Sequence, residues 1–318
     1  GRFPGHDQED AHEFMTSLLS SIDDEQSLKD VFEWRVERII TCDECGHTSN
    51  IVESFFDFAV DFAEGENTLD GLLRRYFAPD VVERRCDEKG CSGLAARVTE
   101  KMRQAPAVMV VQVKRFFFDH SGSVQKLDDF LLPATTVHLG KIVTCEQVNQ
   151  TPLHGSYDRT APSDAPIDPS MMPQEKQEQF ALNLSRLGVG DGADERRKRE
   201  DLRRMQAERK ASQSPELVAA LDRARARLPT TVVEGHEEVA YRLVATTFHH
   251  GVTARSGHYT AGVYKGARTR WNMYNDENVT EVSALSAFLN RRRVAEGYLY
   301  FLVREDAFAS HQQLVNLV

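Results

Sequence analysis

Ser256-Gly257-His258-Tyr259-Thr260-Ala261-Gly262-Val263-Tyr264, followed downstream by Trp271-Asn272-Met273-Tyr274-Asn275-Asp276-Glu277-Asn278-Val279, is the stretch whose reading decides the fold. Alternation around Val263 and the aromatic Trp271 and Tyr274 predicts two strands joined by a Gly-containing turn, which brings His258 beside Asn275 and Asp276. Gly257 lets backbone approach the histidine closely. A histidine that takes a proton from a thiol and returns it to a leaving amine needs its second ring nitrogen held by an acceptor, and Asn275 or Asp276 supplies one. These residues read as two parts of a three-part set of nucleophile, base and orienter. They equally suit a surface histidine beside a turn asparagine.

Working outward, Ala240 to His250 alternates as a strand with Tyr241, Leu243 and Ala245 on one face, and Gly297 to Val303 reads as the last strand. Ala107 to Phe118 reads as a central strand, Val36 to Ile40 as another, and Phe56, Phe58, Val60 and Phe62 as one face of a further strand. From Asp10, the spacing of Ala11, Phe14, Met15, Leu18, Leu19 and Ile22 predicts an amphipathic helix, with Asp10 as cap and Glu13 completing a capping box. Between about Thr151 and Thr230 the chain changes character. Seven of the eleven prolines fall there but only two aromatics, Tyr157 and Phe180, as expected of an insertion. Asp194 to Lys210, with eight basic and five acidic residues, reads as a solvated helix.

With 318 residues, 41% hydrophobic and 28% charged, the chain is long enough for a sizeable core in one large domain or two. No apolar run is long enough for a membrane span, and Gly1-Arg2-Phe3-Pro4 has neither an initiator Met nor a signal-peptide core, so an incomplete chain is expected. A net charge of -10 disfavours nucleic acid and suits a partner with a basic face.

Cys42-Asp43-Glu44-Cys45-Gly46 and Cys86-Asp87-Glu88-Lys89-Gly90-Cys91 are two short cysteine pairs in polar, Gly-containing surroundings, the pattern of a tetrahedral four-thiolate Zn2+ site. With no open coordination position such a site is structural. Metal-bound thiols fit a reducing compartment, the cytoplasm or nucleus, better than disulfides do. Cys145, at the edge of the insertion without Gly or acceptor context, reads as an ordinary free thiol and not as a nucleophile.

Taken together these motifs resemble the ubiquitin-specific proteases, peptidase family C19. Gln8-Glu9-Asp10-Ala11-His12-Glu13-Phe14 is similar to that family's Gln-Asp-Ala-His-Glu-Phe helix start, and the cysteine pairs resemble its zinc-binding fingers. Pro106 to Phe116 resembles its strand ending Lys-Arg-Phe, Lys126-Leu127 to Pro133 follows in the same order, and His249 to Tyr259 with Trp271 to Val279 resembles its His box. The resemblance implies a papain-like α+β catalytic domain of thumb, palm and fingers over residues 1–318, with the thumb largely missing. A remaining thumb helix is expected in residues 1–30, zinc fingers and adjoining strands in 31–105, palm in 106–145 and 236–306, and an inserted, largely disordered or helical segment in 146–235.

By the same resemblance His258 is the general base, Asn275 orients it, and Asp276 supports the site or polarises the oxyanion environment. Gln8, Asp10, Gly257 and Tyr259 then line the substrate cleft, where Asp10 could pair with an arginine of the ubiquitin tail. His12, Lys114 and Arg115 are expected to be structural. The family's nucleophile and oxyanion-hole Asn lie in a Cys box upstream of the Gln-Asp-Ala-His-Glu-Phe motif, so the expectation is a deubiquitinase whose thiol precedes Gly1 and which is inactive as this chain alone. Its partners are ubiquitin and ubiquitinated proteins, with no nucleic acid and no membrane. The alternatives are a catalytically dead ubiquitin-binding scaffold and a zinc-clamped interaction domain, the latter disfavoured because it needs no oriented base. Gln179 to Ser185 and Pro215 to Leu221 match ubiquitin-interacting helices only in part, with Ala224 where a Ser is expected, which favours a surface insertion with short helices.

Overall fold

A computed structural model describes residues 9–22, 25–62, 68–119, 121–127, 131, 133, 136–143, 145, 200, 203–205, 207–208, 213–227, 239–253, 256–265, 270–283 and 296–307. Gln8 and the segment Gln179–Ser185 lie outside these residues.

Two sheets carry the fold, which is α+β. The smaller has strand order β2-β1-β5-β4, built from β1 (Trp34–Cys42), β2 (Thr48–Phe55), β4 (Asp80–Glu83) and β5 (Ala95–Gln104). The larger runs β13-β12-β11-β10-β14-β6-β3, with β9 (Thr136–His138) paired to β10. Its members are β3 (Phe58–Asp61), β6 (Val108–Lys114), β10 (Ala240–Thr253), β11 (Ser256–Tyr264), β12 (Arg270–Asn275), β13 (Asn278–Ser283) and β14 (Gly297–Arg304). Its pairs are antiparallel except β3 with β6.

One apolar core serves both sheets. Val36 and Met102 from the smaller sheet pack with Met109, Val111, Leu302 and Val303 from the larger. At the join, Trp34 stacks on Phe58 with ring centroids 3.7 Å apart, Tyr76 and Phe77 meet the pair edge-on, and the Trp34 indole N–H donates to the Asp57 carbonyl. Burial of large rings with the indole hydrogen satisfied fixes how the two sheets meet.

The expected strands appear with two differences. Phe58 and Val60 are buried on one face as predicted, but Phe56 lies outside β3 and is exposed. The run Ala107–Phe118 divides at Arg115: β6 ends at Lys114, and β7 (Phe116–Phe118) turns away to form a ribbon with β8 (Val124–Lys126). The fully buried Arg115 guanidinium causes the break, since Nε donates to the Gly297 carbonyl and Nη1 to that of Leu127 while the group sits over the Phe62 ring. A buried cation must bring its acceptors with it, and these carbonyls bend the chain around it.

α1 (Ala11–Ser20) forms where the spacing put it, with Asp10 Oδ1 accepting from the His12 and Glu13 N–H groups. Its apolar stripe is not buried: Phe14 and Leu18 are 52% exposed and Ile22 43%. Polar ties hold the helix instead. Tyr298 donates to the second Asp10 oxygen at 2.6 Å, and His12 Nε2 lies 2.9 Å from Asp57 Oδ2. The bond to Asp57 raises the His12 pKa above its ordinary 6.5 against the opposing effect of burial. A raised histidine stabilises in its protonated form, so this tie is complete below 6.5 and is lost as pH climbs through the native value. The opening free energy of the 11–20 amides, read by hydrogen exchange corrected for intrinsic rates, is therefore expected to fall by about 1 kcal/mol on raising the pH past that window. His12→Asn should abolish the dependence, and a flat profile in the unaltered chain would refute the tie.

α2 (Glu25–Phe32) and α3 (Leu69–Tyr76) flank the join of the sheets, α3 with Leu69, Leu72 and Leu73 buried. α4 (Pro215–Ala226) comes from the expected insertion. Ser214 caps it, and Leu217, Ala220, Leu221 and Ala224 pack against Val81 and Ala95 of the smaller sheet. Arg227 at its C-terminus donates to the backbone and side-chain oxygens of Asp43, at 2.7 and 3.2 Å, while Arg97 donates to the Arg227 carbonyl. Ala224 is fully buried, so a small residue is required where it stands.

Candidate active site and metal centre

Three neighbouring strands of the larger sheet bring the His box together. His258 on β11 is the cross-strand partner of His250 on β10, and β12 lies against the other edge of β11 through Ala261 and Tyr274. His258 Nε2 is 2.6 Å from Asn275 Oδ1. An amide oxygen only accepts, so Nε2 carries the hydrogen and Nδ1 keeps its lone pair, the form a general base needs. Asp276 is more distant, its Oδ2 3.7 Å from the same nitrogen, and its side chain is 73% exposed. It begins the turn between β12 and β13 at φ 51, a left-handed conformation that Asp tolerates better than most residues. Of the two predicted orienters, Asn275 thus makes the bond and Asp276 sits behind it.

Gly257 is required by proximity. A Cβ there would lie 2.5 Å from the His250 carbonyl oxygen and 2.8 Å from His249 Nε2. Tyr259, on the face opposite His258, is half-buried against His249 and Tyr298. Burial pushes its hydroxyl up to about 12. His249 is fully buried and pushed down to about 4 by that burial and by the Lys126 ammonium, so it is a neutral ring in the sheet. Both Asp10 carboxylate oxygens accept hydrogen bonds from the chain itself.

Sequence reading did not single out His250, Glu296 or Thr260, which meet beside His258: His250 Nδ1 is 2.5 Å from Glu296 Oε2 and Nε2 is 2.6 Å from Thr260 Oγ1. The available signal was period two. His250 falls on the opposite face from His249, and pairing places it beside His258.

The four predicted metal ligands converge at the far end of the smaller sheet. The sulfurs of Cys42, Cys45, Cys86 and Cys91 all lie within 4.8 Å of one another, with Cys42 to Cys91 at 3.8 Å and Cys45 to Cys86 at 3.6 Å. Four sulfurs 2.3 Å from a central ion stand about 3.8 Å apart, so the set fits a tetrahedral cation. Backbone N–H groups of His47, Glu88 and Gly93 donate to the sulfurs of Cys45, Cys86 and Cys91, at 3.4 Å each. Gly93 is needed for space, since a Cβ there would lie 2.7 Å from Cys42 Sγ. The Gly93 N–H favours the Cys91 thiolate, but desolvation and the neighbouring Cys45, Cys86 and Cys42 thiols push Cys91 up to about 12. Four sulfurs crowded together in this way can hold a metal ion, whose charge resolves the conflict. Cys145 is buried, its thiol pushed up to about 12 by burial, and its sulfur donates to the Val143 carbonyl.

A family description for ubiquitin carboxyl-terminal hydrolase matches residues 1–302. Ubiquitin carboxyl-terminal hydrolase 23 of Arabidopsis thaliana is 27% identical over 39% of this chain and 16% of its own length. Ubiquitin carboxyl-terminal hydrolase 37 of Gallus gallus is 23% identical over 54% of this chain and 21% of its own. Among solved structures, Ubp8 in the SAGA DUB module bound to ubiquitin aldehyde superposes with a TM-score of 0.59 at 17% identity, over 95% of this chain and 50% of that one. A second structure of that module, bound to monoubiquitin, gives a TM-score of 0.54 at 19% identity over 95% of this chain and 49% of that one. The likeness to these structures establishes the fold, and the chain spans about a fifth or less of the two curated relatives. With the His box on adjacent strands and the four-cysteine cluster in place, the chain belongs to the ubiquitin carboxyl-terminal hydrolase family.

Proposed function

We propose that this chain forms the base-bearing part of a thiol deubiquitinase, which hydrolyses isopeptide or peptide bonds at the C-terminal Gly of ubiquitin. The observation that carries the reading is the 2.6 Å bond from His258 to Asn275, which leaves Nδ1 free to take a proton. The nucleophile is a cysteine upstream of Gly1. All five cysteines of the chain have other positions: four form the metal cluster, and Cys145 is buried.

The thiol gives its proton to His258 Nδ1 and its sulfur adds to the carbonyl carbon of the terminal Gly. The tetrahedral adduct collapses as the imidazolium returns that proton to the departing lysine amine, leaving a thioester. His258 then deprotonates a water that attacks the thioester, and the proton passes to the leaving thiolate. Asn275 accepts from the Nε2–H of the ring. Asp276 adds a carboxylate close to the imidazolium that forms, and Gln8, Asp10, Gly257 and Tyr259 border the ubiquitin tail.

The four cysteines hold Zn2+, which ties the turn after β1 to the segment between β4 and β5 and performs no chemistry. Free thiols suited to metal support a reducing compartment, the cytoplasm or nucleus. Its partners are ubiquitin and ubiquitinated proteins. The net charge of -10 disfavours nucleic acid, and no described helix is long and apolar enough to cross a membrane.

The absence of a thiol suited to attack within these 318 residues favours one competing reading, a ubiquitin-binding protein without activity. A polypeptide extended upstream of Gly1 is expected to release the fluorophore from a ubiquitin C-terminal amide, while the 318-residue chain releases none. Turnover by the 318-residue chain that is lost on His258→Ala would overturn the placement of the nucleophile, and an inactive extended polypeptide would favour the competing reading.

A further inference from the structure

We propose that Glu296, His250 and Thr260 form a second hydrogen-bonded unit that positions His258, with His250 as its central positioning residue. The proposal deepens the assignment of His258 as the base and rests on it.

His250 is held at every polar atom it presents. Its Nδ1 meets Glu296 Oε2 at 2.5 Å and its Nε2 meets Thr260 Oγ1 at 2.6 Å. The buried Lys126 ammonium donates to the His249 carbonyl at 2.7 Å and to that of Gly251 at 3.0 Å. The backbone is thus clamped on both sides of His250. Imidazole between a carboxylate and a hydroxyl has no free rotor state, because a ring flip would break both bonds.

That fixed ring stands beside the base. His250 and His258 are direct cross-strand partners, with ring centroids 6.3 Å apart and planes 24° from parallel. Thr260, which accepts or donates at His250, lies two residues after His258 on the same face of β11. Asn275 holds His258 from the other side, and by itself a single acceptor at Nε2 leaves the ring free to swing about Cβ–Cγ. His250 limits that swing from one flank and fixes β11 through Thr260. The three residues join β10, β11 and the start of β14 at the one place where the sheet carries the base.

Two readouts separate positioning from mere stability. In the 318-residue chain labelled with 15N-histidine, long-range proton–nitrogen correlation reads the His258 tautomer, expected as the Nε2–H form. His250→Phe should produce a mixture of both tautomers, and the near-isosteric Thr260→Val a smaller change in the same direction. In the upstream-extended polypeptide His250→Phe should lower kcat by about tenfold with KM unchanged, the mark of an interaction needed in the transition state. If His250→Phe does not fold, Thr260→Val and Glu296→Gln decide. A wild-type tautomer and wild-type kcat in the variants that fold would overturn the proposal. Should the extended polypeptide hydrolyse nothing, the deubiquitinase reading fails, and the tautomer measurement still decides whether His250 positions His258.

Discussion

Replacing His258 with alanine in the upstream-extended polypeptide is expected to lower kcat/KM on a ubiquitin C-terminal amide by at least about a thousandfold, since His258 is the proposed acceptor of the thiol proton. The neighbours rank behind it in an order the geometry sets. Asn275 makes the 2.6 Å bond to Nε2, whereas Asp276 is 3.7 Å away and 73% exposed. Solvent screens an exposed carboxylate, so Asp276→Ala should cost a few-fold and Asn275→Ala about 10- to 100-fold. The comparison needs steady-state kinetics on variants with matched melting temperatures. An Asp276→Ala defect larger than that of Asn275→Ala would reverse the assignment of orienter, and a His258→Ala enzyme that keeps a tenth of its activity would remove the base.

Atomic emission on the purified chain is expected to find one zinc, and Cys42→Ser or Cys86→Ser to lose both the metal and solubility. The effect is large because structural zinc contributes about 10 kcal/mol or more to folding in sites where the ligands do not preassemble. Here the ligands come from two separate parts of the smaller sheet, Cys42 and Cys45 at the end of β1 and Cys86 and Cys91 between β4 and β5. With the metal removed, four converging thiols remain at the tip beside the buried Asp43, which Arg227 holds. Titration with a chelator, followed by circular dichroism and light scattering, tests this. A metal-free chain that stays soluble and keeps its strands would refute the zinc assignment.

Much of this was legible in the sequence wherever the determinant was local. Period-two alternation marks β10, β11, β12 and β14, and a cap and helical spacing mark α1. The cysteine pairs announce their partners because each pair is short and carries its own turn glycine, Gly46 at φ 73 and Gly90 at φ 83. What escaped depends on contacts distant in sequence. The break at Arg115 is set by the Gly297 carbonyl, contributed by another strand, and the bond from Glu296 to His250 joins a strand start to a strand end. Exposure of the α1 stripe follows from the same limit, because spacing tells which residues share a face and not what covers it. Pro215 to Leu221 shows this most clearly. Read alone it matches a ubiquitin-interacting helix only in part and reads as a short surface helix, yet its apolar face is packed on Val81 and Ala95.

The docking of α4 also changes what peptide-bond continuity means for this domain. The chain before residue 146 and the chain after residue 199 grip each other through contacts that include β9 against β10, β6 against β14, and α4 against the smaller sheet. A single proteolytic cut between those positions therefore leaves two pieces that still share every one of these interfaces. The domain is in effect a two-part assembly that happens to be translated as one chain.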